Sequence, residues 1–316
     1  MTVQLGYLLS QSIDFVARVR TTYIIIESPQ NKDPLLVSLH SSPTMIGHFN
    51  RNIQVYDGRC RLEVAGCWQF GRTTIATFYQ WLDVALIGSI TLFHCANRKD
   101  LPLGEPLDRK STELMATGTY VILDDERLPA NIGYLFDKPL PRENSADDPQ
   151  TPGYNSFVSR VRARDRRCCF TGEAVIGENF TGFEVAHIFP LGQLKKWKRR
   201  DMQRFITDPE VADDEKMNSV QQGFLVSSSV YELFKDYQLG VNPDDGYRIT
   251  DFAGRDGEPT LDGKIFYVAD DVPEYFRPSP DLLREHYRQC ILACINGPFI
   301  FPAPEPEEYF VPGGVD

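Results

Sequence analysis

Residues 164–175 read RDRRCCFTGEAV, residues 183–197 read FEVAHIFPLGQLKKW, and residues 217–249 read MNSVQQGFLVSSSVYELFKDYQLGVNPDDGYRI. The first piece brings Cys168 and Cys169 to a Thr171-Gly172 turn signal. The second is a short apolar strand, Phe183-Glu184-Val185-Ala186, that delivers His187 and is followed by Pro190 and a basic helix around Trp197. The third supplies a second strand and then a helix carrying Tyr231, Phe234 and Lys235. Strand, strand and helix within eighty residues predict a small α+β unit with His187 at a strand end.

Taken in this order, the pieces resemble the HNH nuclease module of a large group of fungal proteins. Cys168, Cys169, Thr171 and Gly172 match its opening, and Ala186, His187, Ile188, Pro190 and Trp197 match its first strand and the segment after it. The segment Leu225–Ser229 sets the register of the remainder. It puts Gln222 at the family's Asn and Tyr231 at its second His, with Phe234-Lys235 where Phe-Asp is usual. Asn218 stands thirteen residues before Tyr231 rather than nine, and is set aside on that spacing.

The resemblance implies a ββα-metal fold in which a divalent cation, Mg²⁺, Mn²⁺ or Zn²⁺, steadies the scissile phosphate while a neutral imidazole takes a proton from water. His187 then reads as the general base and Gln222 as its orienting amide, with Tyr231 at the metal-ligand position. Asn and Gln offer the same amide groups, but the extra methylene displaces them by about 1 Å, which at a positioning residue can cost about a hundredfold in rate. A phenol, with a pKa near ~10, is a poor ligand for these ions; packing beside Leu233 and Phe234 is the plainer role for Tyr231. Replacement oxygen ligands would have to come from Glu184, Glu232 or Asp236, each of which also reads as a solvated surface charge. A metal-free centre fits the same residues.

The 316 residues carry a net charge of −11. Phosphate binding favours a basic surface, and the charge is unevenly spread. Ser156–Arg204 holds eleven Lys or Arg against five Asp or Glu, a balance of +6 that leaves −17 elsewhere. Lys195, Lys196, Lys198, Arg199 and Arg200 form the densest group, read either as a phosphate-facing helix for DNA or RNA or as an ordinary solvated helix.

Outward from the module, residues 1–138 read as a β-rich domain. Strands are predicted over Phe15–Arg20, Tyr23–Ile26, Leu35–Leu39, Arg61–Trp68, Ser89–His94 and Tyr120–Leu123. One helix is capped by Thr73 or Thr74, with Ile75, Phe78, Trp81, Leu82 and Ala85 at helical spacing. Residues 139–153, with four Pro, read as a linker. Residues 154–316 hold the module, helices over Ser156–Arg167 and Leu194–Phe205, an acidic loop over Pro209–Lys216 and strands over Tyr247–Ile249 and Ile265–Val268. A C-terminal helix comes next, with Ser279 as N-cap and Pro280 first in the helix, and then an extended tail from Pro298. His40, His48 and His94 are solitary, and Cys290 and Cys294 read as buried small hydrophobes.

No apolar run approaches the ~18–20 residues of a membrane span, and the N-terminal stretch lacks the pattern of a signal peptide. Seven scattered Cys without a CxxC fit a reduced protein of the cytoplasm or nucleus. Three functions stay open: a metal-dependent endonuclease, a catalytically lapsed HNH-like module that binds nucleic acid or protein, and a pocket in which His187 serves as acid or base on a small molecule.

Overall fold

The structure, a computed structural model, describes residues 23–26, 35–38, 51–96, 104–135, 139–142, 153–253 and 261–295. The strand expected over Phe15–Arg20, His40, His48, most of the expected linker and the tail from Pro298 lie outside the described residues. The chain divides into two compact units, residues 1–45 and 46–316. In the first, β1 (Tyr23–Ile26) and β2 (Leu35–Ser38) pair antiparallel, Tyr23 opposite Ser38 and Ile26 opposite Leu35.

The second unit is α+β. Its larger sheet runs in the order β4 (Glu63–Cys67), β3 (Ile53–Asp57), β7 (Gly118–Leu123), β6 (Thr91–Cys95). The β3–β7 pair is parallel and the other two pairs are antiparallel. The central strand β3 has no counterpart among the predicted strands: five residues give only a brief alternation, Ile53 and Val55, both fully buried. Helix α1 (Ile75–Ala85) starts where Thr74 accepts a bond from the Thr77 amide. It ends as Leu86 turns extended into β5 (Leu86–Ile87), which pairs with β8 (Gly133–Tyr134). Its Phe78, Tyr79, Trp81 and Leu82 face the sheet and close the core.

The remaining elements are α2 (Tyr154–Asp165), β9 (Phe183–His187), α3 (Leu194–Arg199), β10 (Gly223–Ser227), α4 (Ser228–Lys235), β11 (Leu239–Asn242), β12 (Arg248–Asp251) and α5 (Pro280–Ile295). The basic helix predicted to reach Phe205 stops at Arg199, and a separate 3₁₀ turn covers Met202–Phe205. The strand predicted over Ile265–Val268 is reduced to a single bridge between Arg248 and Ile265. Helix α5 begins at Pro280 with Ser279 at the N-cap position, as expected, although the buried Ser279 hydroxyl makes no hydrogen bond. Instead the Ser279 amide donates to the Gln221 carbonyl and its own carbonyl accepts from Leu283.

Two cores meet along α5. Its first turn puts Leu282 and Leu283 among Phe170, Phe224, Phe234 and Trp197, while Cys290–Ile295 pack with Ile53, Phe78 and Trp81 of the sheet core. Cys290 and Cys294 are the buried apolar groups the sequence suggested, and burial pushes the Cys294 thiol up to about 11. Among the described residues no helix is long and apolar enough to cross a membrane.

Candidate functional site

The site is built on the β9–β10 pair, antiparallel with Gly223 opposite His187, Phe224 opposite Ala186 and Leu225 opposite Val185. The free edge of β10 is covered. The Cys169 amide donates to the Leu225 carbonyl, the Leu225 amide donates to Asp165 Oδ2 at 2.7 Å, and Arg164 Nη2 donates to the Gly223 carbonyl at 2.8 Å. Arg164 and Asp165, paired at 2.5 Å and almost wholly buried, thus tie the end of α2 to the strand. The Cys-x-x-Thr-Gly turn closes on itself. Cys168 Sγ accepts from the Thr171 amide, and Gly172, at φ +76°, lets its own amide return to the Cys168 carbonyl.

Opposite residues of an antiparallel pair share a face, and neighbours along a strand alternate. Val185, His187, Gly223 and Leu225 therefore belong to one face, and Val185 and Leu225 pack there with Phe157 and Val161 of α2. Ala186, Phe224 and Val226 belong to the other, under Val230 and Phe234 of α4. His187 is 4% exposed, with the Phe157 ring stacked on it at 4.1 Å and the Tyr154 ring at 6.2 Å. Its Nε2 lies 3.2 Å from Asn218 Oδ1.

Asn218, set aside on its spacing, is thus the amide that meets the ring. It closes a 3₁₀ turn over Asp213–Asn218, which begins within the stretch read from sequence as an acidic loop, Pro209–Lys216, and runs two residues past it. The next residues are fixed by a buried network. Ser219 Oγ donates to Asp208 Oδ2 at 2.8 Å, Arg160 donates to the same carboxylate, and Gln221 Oε1 accepts from the Thr207 and Asp208 amides. No sequence rule links Asn218 to His187 across thirty-one residues; only the closure of this loop brings them together.

Gln222 is fully buried and its amide is turned elsewhere. Oε1 accepts from the Phe189 amide at 3.2 Å and Nε2 donates to the Phe189 carbonyl at 3.0 Å. It fixes the chain that leaves β9. Tyr231, on α4, packs half-buried against the cluster of Ala186, Phe224 and Phe234, the face opposite the one that carries the His187 ring. Glu184 is exposed and accepts from Ser228 Oγ at 3.3 Å, Glu232 is exposed and pairs with Lys235 at 2.6 Å, and Asp236 is exposed. Among the described residues no three His, Cys, Asp or Glu side chains converge as a ligand set. Among the described residues, the side chains around His187 do not fit the divalent cation that the resemblance implies.

Arg142 also reaches this site, from the segment expected to link two domains. Its Nη1 donates to the His187 carbonyl at 3.1 Å and its Nη2 to the Ile188 carbonyl. A cleft with about 170 Å³ of empty space lies on that side, lined by Leu140, Arg142, Phe189, Tyr237, His286 and Gln289 among others.

On α3, Lys195, Lys198 and Arg199 are exposed and share a face at i, i+3, i+4 spacing. Trp197 on the opposite side is buried edge-on to Phe189. Lys196 is half-buried, and Arg200 is half-buried and paired with Glu285 at 2.7 Å. The Arg residues around α2 are engaged within the molecule: Arg160 with Asp208 and Glu210, Arg162 over Phe180, Arg166 with Glu178, and Arg167 over Tyr267. The positive balance read from sequence is therefore not one patch; α3 carries three of its exposed cations, and Arg166 and Arg204 are exposed elsewhere.

Compared with known families, residues 168–242 match the HNH endonuclease family model, a stretch that starts at the Cys168 turn and ends with β11. No curated protein and no solved structure matches the chain.

Proposed function

Taking residues 168–242 as an HNH-endonuclease-like domain, we propose that it is a catalytically lapsed module retained to bind nucleic acid, with α3 as its phosphate-facing element. The observation that supports this is the division of the old centre between two faces: His187 is enclosed by Phe157 and Asn218, while Tyr231, on α4, packs against the opposite face. Lys195, Lys198 and Arg199 meanwhile project from one face of α3. Cysteines held as thiols suit the intracellular setting that this reading entails.

Three phosphate contacts on duplex DNA give a salt slope of roughly −2.7, or about a 40-fold loss of affinity between about 50 and 200 mM salt. Reversing Lys195, Lys198 and Arg199 to Glu abolishes salt-sensitive binding in a fluorescence-anisotropy titration, whereas His187→Ala leaves it unchanged. Binding that survives the triple reversal, with its salt slope intact, refutes the assignment of α3.

A second reading rests on the His187–Asn218 pair. An amide oxygen that accepts from Nε2–H leaves Nδ1 with the lone pair, the tautomer a general base needs. This endonuclease reading expects nicking of plasmid DNA that both His187→Ala and Asn218→Ala abolish. Purified wild-type protein assayed with Mg²⁺, with Mn²⁺ and with EDTA decides between the two.

A further inference from the structure

We infer that the Arg142 guanidinium is the fixed cation that joins the strand end carrying His187 to helix α4, and that the module assembles without a divalent cation. Arg142 has this role whether or not α3 binds nucleic acid. Beyond His187 the β9–β10 pairing ends, and the His187 and Ile188 carbonyls need donors from elsewhere. Arg142 supplies both from one planar fork. The same guanidinium lies over the Phe234 ring at 5.0 Å and the Tyr237 ring at 5.2 Å, so one side chain spans strand end and helix end.

Its backbone is held ready. The Leu140 amide donates to Gln289 Oε1 at 2.9 Å, Tyr237 Oη donates to the Leu140 carbonyl at 2.8 Å, and Gln193 donates to the Pro141 carbonyl. Leu140 itself is 1% exposed in the core beneath. Glu285, which lines the same cleft and pairs with Arg200, supplies nearby negative charge. Two of the three candidate carboxylates, Glu184 and Glu232, are turned to Ser228 and Lys235.

Arg142 is thus a positioning residue for His187, and the test separates positioning from bulk stability. In protein labelled at its five histidines, the His187 imidazole carries a ring-current displacement from Phe157 stacked at 4.1 Å. In Arg142→Ala this displacement is expected to shrink and the signal to broaden. Arg142→Lys, which can donate but offers no planar face, is expected to fall between the two and serves should the alanine variant not fold. Leu92→Ala, in the sheet core, provides a destabilised control whose His187 signal stays at the wild-type position. Wild-type thermal unfolding is expected to be the same with EDTA and with added Mn²⁺ or Zn²⁺. Two results overturn the inference: a His187 signal unmoved in both Arg142 variants, or a melting temperature that rises with either metal or falls with EDTA.

Discussion

Replacing Gly223 with Ala places one methyl group where the fold has none to spare. A Cβ there would stand 2.5 Å from Phe157 Cζ, 2.8 Å from Phe157 Cε2 and 2.7 Å from the Ala186 carbonyl oxygen. Gly223 does not sit in a left-handed conformation, so the cost is one of space alone. Overpacking a filled core costs about 1–3 kcal/mol, and the upper part of that range applies because both a ring and a backbone atom must give. Phe157→Leu removes the two ring contacts but leaves the carbonyl contact. By itself it should cost roughly 1–2 kcal/mol. In the double variant the penalties should fall short of their sum by about 1 kcal/mol, a partial rescue. Urea unfolding followed by fluorescence measures all four proteins, provided the slope with denaturant stays constant across them. A Gly223→Ala change within about 0.5 kcal/mol of wild type, or strict additivity with Phe157→Leu, would refute the stacking of Phe157 over Gly223 and His187.

Three further outcomes are expected. His286 is buried and stacked at 3.7 Å on Phe234, and burial, helped by the Arg142 charge, holds its pKa well below the usual imidazole value. The unfolded chain therefore takes up a proton that the folded chain refuses, so this contribution is complete above about pH 6.5 and declines as pH falls below it. Urea midpoints should drop on acidification, and His286→Gln should flatten that drop; equal slopes would remove His286 from the account. Arg164→Ala strands the buried Asp165 carboxylate and should cost about 3–5 kcal/mol in unfolding free energy by urea denaturation. Asp165→Leu added to Arg164→Met should recover little of it, because the Leu225 amide and the Gly223 carbonyl then lose their partners. Tyr231→His, on the face away from His187, should leave both Mn²⁺ binding in calorimetry and plasmid nicking at wild-type levels. Metal-dependent nicking by that variant would show that the two positions still converge.

Much of this organisation is written locally in the chain. Alternation in Phe183–Ala186 and the Gly-Phe-Leu-Val-Ser run fixes β9 and β10, and the apolar spacing of Leu283, Tyr287, Cys290, Ile291 and Cys294 fixes α5. Trp197 turned inward leaves Lys195, Lys198 and Arg199 outside, a result helical geometry dictates from sequence. Ten-residue windows hold such information because it depends only on neighbours three or four positions away.

What the chain could not declare by itself is which partner each strand face receives. The motif register paired His187 with Gln222 and Tyr231, but the faces of β9 and β10 were assigned only when α2 covered one and α4 the other. That choice set Phe157 on the imidazole, sent the Gln222 amide to Phe189 and left Tyr231 across the sheet. Asn218 and Arg142 arrive from a short 3₁₀ turn and an irregular segment, where no periodicity constrains direction and long-range packing alone decides what a side chain meets.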